Sequence, residues 1–187
     1  MHSPQKLTSM VLIAAGFSTF FLAGCDNSTT TKQQAEQAAP AAAAAPAPVT
    51  YPATLAEGID FKRDGYPTFI ASVSGMSGRE DWGRWSEGPS AKFEFKDPLP
   101  SKFTLAIEGG AYGPNIGQPV IVRAGNVERT YTPKEGNNPY TISFEGVNQA
   151  KIIEFVPPKP TAPADIDPNN KDPRKLGISL ITLKILP

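Results

Sequence analysis

One cysteine and one histidine are all that 187 residues contain, and basic and acidic side chains balance at 18 each. A single Cys excludes an internal disulfide framework and any multi-cysteine metal cluster. A single His leaves little material for Ser–His or Cys–His catalysis. Zero formal charge excludes a broadly basic nucleic-acid binder, so no nucleic acid is expected as a partner. The chain lacks a Gly-rich phosphate loop with its Lys, and no window carries a helical apolar stripe. Aromatic residues at 9% and hydrophobic residues at 40% exclude disorder throughout. The length suits one ordinary domain with appendages.

The first appendage, residues 1–24, reads as a lipoprotein signal peptide. Lys6 and the α-amine give a weakly basic start. An apolar stretch runs from Met10 to Leu22. At roughly 15 residues it is short of the about 20 needed to span a bilayer, and suits a secretory segment better. It ends in Leu22-Ala23-Gly24-Cys25, which resembles a bacterial lipobox. That resemblance implies acylation of Cys25, the two or more chains that stable anchoring needs, and a body facing the periplasm. Asp26 resembles an inner-membrane sorting signal, with the outer membrane as the alternative. Cleavage there removes His2 and Lys6, leaving 18 − 1 = 17 basic against 18 acidic side chains. The expected mature chain has no histidine and no free thiol.

Residues 25–52 read as a lipidated Cys followed by a disordered linker. From Asn27 to Pro52 the run NSTTTKQQAEQAAPAAAAAPAPVTYP has almost no branched or aromatic residue before Val49. It cannot bury enough surface to offset the entropy of ordering. Ala41–Ala45 is bracketed by Pro40, Pro46 and Pro48, so a helix there is marginal. As a flexible chain it spans roughly 30 Å, and as a polyproline-like one about 70–80 Å.

Residues 53–187 are expected to fold as an all-β domain, an antiparallel β-sandwich or jelly roll of about eight strands. Short apolar runs separated by Gly, Pro and Asn clusters carry this reading. The expected strands are Thr68–Val73, Ala91–Lys96, Phe103–Glu108, Pro119–Ala124, Val127–Thr132, Tyr140–Phe144, Lys151–Val156 and Gly177–Leu186. Phe93 and Phe95 alternate with charges and should face the core, as should Phe103, Leu105 and Ile107, and Tyr140, Ile142 and Phe144. Gly125-Asn126 predicts a tight hairpin. Gly136-Asn137-Asn138-Pro139 predicts a turn. The last strand is apolar at successive positions and should be central. Helix is expected to be absent or limited to a turn near Ser77–Trp82.

Chemistry-bearing residues are few. Glu80, Asp81 and Glu87 are close enough in sequence to suggest paired carboxylates, yet they look like solvated loop charges. Asp165-Ile166-Asp167-Pro168-Asn169 starts like a calcium loop. It then departs: Asn170 replaces the turn Gly and Leu176 stands in place of the bidentate Glu. A polar connecting loop is the expected reading, with no metal and no cofactor. The densest feature is Ser74–Gly88, with Trp82 and Trp85 among Glu80, Arg84 and neighbouring charges. Aromatic faces pack on sugar C–H faces while Glu and Arg bond hydroxyls. Glu80, Trp82, Arg84 and Trp85 are therefore the candidate glycan-binding set. The alternative is that the rings plug one end of the sandwich and Arg84 pairs with an acid such as Asp172.

The run EDWGRWSEGPSAKFEFKDPLPSKFTLAIEGGAYGPNIGQPVIVRAG and the later DPRKLGISLITLKI resemble the C-terminal β-rich domain of bacterial phosphoglycerol transferase I. The likeness extends over roughly Asp64 to Ile185. It is most specific in Glu80-x-Trp82-Gly83-x-Trp85-Ser86 and Asp172-x-Arg174-x-Leu176-Gly177, where Asp172 and Arg174 form a candidate structural pair. The resemblance implies an association with osmoregulated periplasmic glucans. In that family the metal and nucleophile belong to a separate sulfatase-like domain, so no catalytic residue carries over. The expected function is a non-catalytic lipoprotein that binds envelope glycan or assists its modification. The alternative is a module that docks onto an envelope enzyme.

Overall fold

The computed structural model describes residues 49–187. The expected signal peptide, the Cys25 and Asp26 positions and the linker as far as residue 48 lie outside the described residues. The folded part begins earlier than residue 53. Thr50–Tyr51 form strand β1, and the Tyr51 ring is buried.

The strands that follow are β2 (Ile59–Asp60), β3 (Tyr66–Pro67), β4 (Ile70–Ser74), β5 (Arg84–Glu87), β6 (Ala91–Phe95) and β7 (Lys102–Ala111). Then come β8 (Val120–Ala124), β9 (Val127–Tyr131), β10 (Asn138–Glu145), β11 (Ile152–Val156) and β12 (Leu176–Leu186). They build two five-stranded antiparallel sheets in a sandwich-like arrangement. One runs β10-β7-β12-β2, with β5 also on β12; the other runs β4-β6-β11-β8-β9. β1 pairs with β3 in parallel, with Tyr66 N–H donating to the Val49 carbonyl at 3.2 Å and Thr68 N–H to that of Tyr51 at 2.8 Å.

All eight expected strands are present, with no end shifted by more than three residues. β10 starts two residues early, taking in Asn138 and Pro139. Pro139 is tolerated because β10 is an edge strand, with only β7 beside it. The Gly125-Asn126 turn joins β8 to β9, and Gly125 has φ +59 at the first central position, as a type II′ turn requires. Among the described residues the helical pieces are a 3-10 turn at Gly113–Asn115 and a one-turn helix, α1 (Pro163–Ile166). Residues 77–82 are not helical; Asp81 and Trp82 form a β-turn instead.

The core lies between the two sheets. Phe93 and Phe95 of β6, Phe103, Leu105 and Ile107 of β7, and Ile142 and Phe144 of β10 are buried as their alternation predicts. Tyr140, from the same pattern, is only half-buried. Phe93 joins Phe61 (5.7 Å between ring centroids) and Phe155 of β11 (6.0 Å), both edge-on. Burying one such ring stabilises by roughly 2–3 kcal/mol. The outer face of the second sheet carries a row of alternating charge, Lys92–Glu154–Arg123–Glu128, with contacts of 3.3, 3.4 and 2.9 Å.

β12 is central, with β7 on one edge and β5 and then β2 along the other. Its apolar character at successive positions has a specific cause. The pairing with β7 slips between Leu180 and Thr182, leaving Ile181 as an extra residue. Such a bulge shifts the inward phase by one. Ile178 and Leu180 point inward before it, and Leu183 and Ile185 after it.

Phe93→Ala is expected to lower stability by about 3–5 kcal/mol, whereas Ile152→Ser, at a position 44% exposed, should stay within about 0.5 kcal/mol of the parent. Chemical denaturation of the two variants measures the contrast.

Candidate functional site

β5 was not legible as a strand, and it sets the site. It is four residues long and bounded by Gly83 and Gly88 at φ +151 and +84. A side chain at Gly83 would place its Cβ 2.4 Å from the Leu180 carbonyl oxygen, so only Gly lets β5 lie against β12 there. Strand alternation then parts the expected set. Arg84 and Ser86 turn inward and are buried, while Trp85 and Glu87 turn outward. The Ser86 hydroxyl accepts the Ile178 N–H at 2.8 Å, locking β5 to β12 from the buried side.

Trp82 sits in the two-residue turn closed by Glu80 and Gly83, whose backbones exchange hydrogen bonds of 2.8 and 3.2 Å. Its indole Nε1–H donates to Glu80 Oε2 at 2.9 Å. Glu80 Oε1 accepts from Arg174 Nη1 at 3.3 Å. Arg174 in turn donates to Asp172 through Nε (3.0 Å) and Nη2 (2.6 Å). One continuous path, Trp82–Glu80–Arg174–Asp172, thus joins the two motif runs, whose central residues are 94 positions apart. The Asp172–Arg174 pairing expected from sequence is seen in this geometry.

The rings form a second set. Trp82 and Trp85 meet at 5.1 Å and 67°, and Trp85 meets Tyr112 at 5.7 Å and 83°. All three are half-exposed. Tyr112 was missed because it lies just beyond the end of β7, in a Gly-rich stretch without alternation. The buried Asn115 fixes this corner. Its amide donates to the carbonyls of Tyr112 (3.0 Å) and Lys159 (2.8 Å), and its oxygen accepts the Lys159 N–H at 2.8 Å. The result is an aromatic patch with the Glu80 carboxylate at the Trp82 edge. It is a surface and not a pit: the adjoining shallow cleft, about 470 Å³, is lined by Gly75, Met76, Glu87, Gly88, Pro173 and Lys175 and not by the rings.

Arg84 does not belong to this patch and does not pair with Asp172. It faces the other way, donating through Nη2 to the Arg63 carbonyl at 3.0 Å. Its guanidinium lies 4.9 Å from the Tyr66 ring centre, a cation–π contact strengthened by burial. Its Nε has no hydrogen-bond partner. Arg84 therefore ties β5 to the turn before β3. Burial pushes the Tyr66 hydroxyl above its usual range, and Arg84 partly opposes that.

In the calcium-like loop the carboxylates are turned to protein partners. Asp165 meets Lys175, Asp167 accepts from Asn169 at 2.9 Å, and Asp172 holds Arg174. No group of three or more metal-ligating side chains is clustered among the described residues. Of the possible carboxylate pair, Asp81 is exposed beside Arg79 at 3.5 Å and Glu87 is exposed at the cleft.

The side-chain contact with Arg174, followed by the Arg174 N–H, holds the Asp172 carboxyl below its ordinary value of 3.8. A depressed native pKa means the contact is complete above the ordinary value and is lost as pH falls through the depressed one. An NMR titration is expected to find the Asp172 carboxyl mostly ionised at pH 3.8, with its midpoint returning toward 3.8 in Arg174→Met.

Comparison with known proteins finds relatives of this chain. A family model described as "Domain of unknown function (DUF7024)" matches residues 44–187. The chain is similar to phosphoglycerol transferase I of Escherichia fergusonii, at 37% identity over 134 residues, covering 70% of this chain and 18% of that protein. Phosphoglycerol transferase I of Escherichia coli and of Shigella boydii match with the same identity and coverage. The chain thus spans about 18% of the length of the curated relatives it matches. No solved structure matches it.

Proposed function

We propose a function from one premise: the chain belongs to the DUF7024 domain family and is homologous to part of phosphoglycerol transferase I. The domain is a non-catalytic module that binds envelope glycan, or assists its modification, through the patch of Trp82, Trp85 and Tyr112. The observation that carries this reading is three half-exposed rings, Trp85 packed against both Trp82 and Tyr112, with Glu80 bonded at the Trp82 edge. Apolar ring faces suit the C–H faces of sugars, and carboxylates accept from hydroxyls. The relatives, by name, transfer phosphoglycerol, which makes a periplasmic glucan the first ligand to test. In the same reading, lipid on Cys25 holds the domain at the periplasmic side of a membrane. Asp26 favours the inner one.

A second reading has its own support. β4 is an edge strand, bonded to β6 alone. Beside it lies a groove of about 350 Å³ lined in part by Val49, Tyr66, Ile70, Val73 and Lys96. An open edge next to an apolar groove suits strand addition by a partner protein such as an envelope enzyme.

Titration of the purified protein with periplasmic glucan is expected to shift the tryptophan emission, because Trp82 and Trp85 are its only tryptophans. Trp82→Ala and Trp85→Ala, with unchanged circular dichroism, should each weaken binding roughly tenfold. Full affinity in both folded variants rejects the patch as the site, and absence of binding by calorimetry moves the weight to the docking reading.

A further inference from the structure

We infer that the candidate site does not end at Tyr112 but runs on to Ile166, forming a strip of four apolar contacts that takes an extended oligosaccharide segment and not a single sugar. This rests on the glycan-binding reading above. Ile166 belongs to α1, remote in sequence from the rings, and is 54% exposed. Isolated exposed apolar side chains are ordinary on a protein surface. This one is not isolated, and the backbone at Tyr112 and Gly113 is the reason.

Tyr112 is extended, with ψ 134, so an ordinary next residue would send its side chain to the opposite face. Gly113 has φ +49 instead. That left-handed conformation cancels the alternation, and the direction a Cβ would take from Gly113 lies on the same side of the chain as the Tyr112 side chain. Ile166 occupies that direction, with its Cδ1 3.0 Å from where the Cβ would stand. The missing side chain at Gly113 thus makes room for Ile166 beside Tyr112. Two further contacts hold the segment there. The Asn115 amide donates to the carbonyls of both Tyr112 and Lys159. The Ala164 N–H donates to the Asp172 carbonyl at 3.1 Å, which ties α1 to the Asp172–Arg174–Glu80–Trp82 path.

The series then reads Trp82, Trp85, Tyr112, Ile166. Its ring centres follow one another at 5.1 and 5.7 Å, and Tyr112 and Gly113 are one Cα step apart, about 3.8 Å. Such intervals are close to the length of one pyranose residue in a chain, so successive sugars can each find an apolar surface. The neighbouring cleft is lined by other residues. The strip therefore offers a lone sugar one contact and a chain several.

The test is calorimetric titration of the full chain with glucose and with oligomers of increasing length cut from periplasmic glucan. Affinity is expected to rise at least about tenfold from glucose to the longer oligomers, and to level off once the chain covers the whole strip. Ile166→Ser should weaken the long oligomers about threefold, through the loss of a half-buried apolar contact, and leave the shortest binding oligomers unchanged. Ile166→Leu, which restores the apolar surface, should return the parent affinity. Circular dichroism checks that both variants are folded, and the length series on the parent protein tests the strip without any substitution. Glucose binding as tightly as the long oligomers overturns the inference while the glycan reading stands. So does a folded Ile166→Ser that loses nothing, or that loses short and long oligomers alike. Binding of no sugar overturns both and gives the strip to a protein or lipid partner.

Discussion

The register of β12 is the constraint on which the rest of this domain depends. An eleven-residue strand must serve a core that lies on one side of it along its whole length. A strictly alternating strand of this sequence would turn Thr182 and Lys184 into that core. The extra residue at Ile181 reverses the phase and replaces them with Leu183 and Ile185. The same irregularity divides the far edge of β12 between two short partners. β5 takes Leu176 to Leu180, and β2 takes Thr182 and Leu183. Trp85 is positioned by that division, because it is β5 that presents it. The Gly83 approach to the Leu180 carbonyl is the local condition that lets β5 fit.

The candidate site has two sides held by different physics. On the buried side of β5, Ser86 and Arg84 make fixed contacts with β12 and with the turn before β3. On the solvent side, rings and ion pairs meet at the surface, where each ion pair alone is worth little. The path from Trp82 through Glu80 to Arg174 and Asp172 gains from being connected. It also fastens the long Pro-containing segment before β12 to the turn before β5. Motif runs remote in sequence are therefore one feature of the surface.

Much of the fold was legible in the sequence, and the gaps have physical reasons. Several longer strands announced themselves by alternation, as in Lys92-Phe93-Glu94-Phe95, and β12 by its unbroken apolar run. β1, β2 and β3 are two residues each and β5 is four, too short for any period to register. Tyr51 seemed part of the linker because nothing local marks it. Its burial comes from Ile59–Tyr66, which sequence reading could not bring to it. Of the candidate site residues, the structure brings Glu80, Trp82 and Trp85 together. Arg84 was misplaced because nearness in sequence to two Trp suggested a shared face. Being next to Trp85 on a strand is what puts it on the other one.

The parallel pairing of β1 with β3 bears on how the domain carries a mechanical load. Force applied through the chain preceding Val49 reaches β1 first. β1 is attached to β3 by few hydrogen bonds, to the Val49 and Tyr51 carbonyls. The Tyr51 ring adds a grip, buried and stacked with the Arg63 guanidinium 3.9 Å away. Two parallel strands drawn along their length share the strain over all their bonds at once, so the attachment shears and does not unzip.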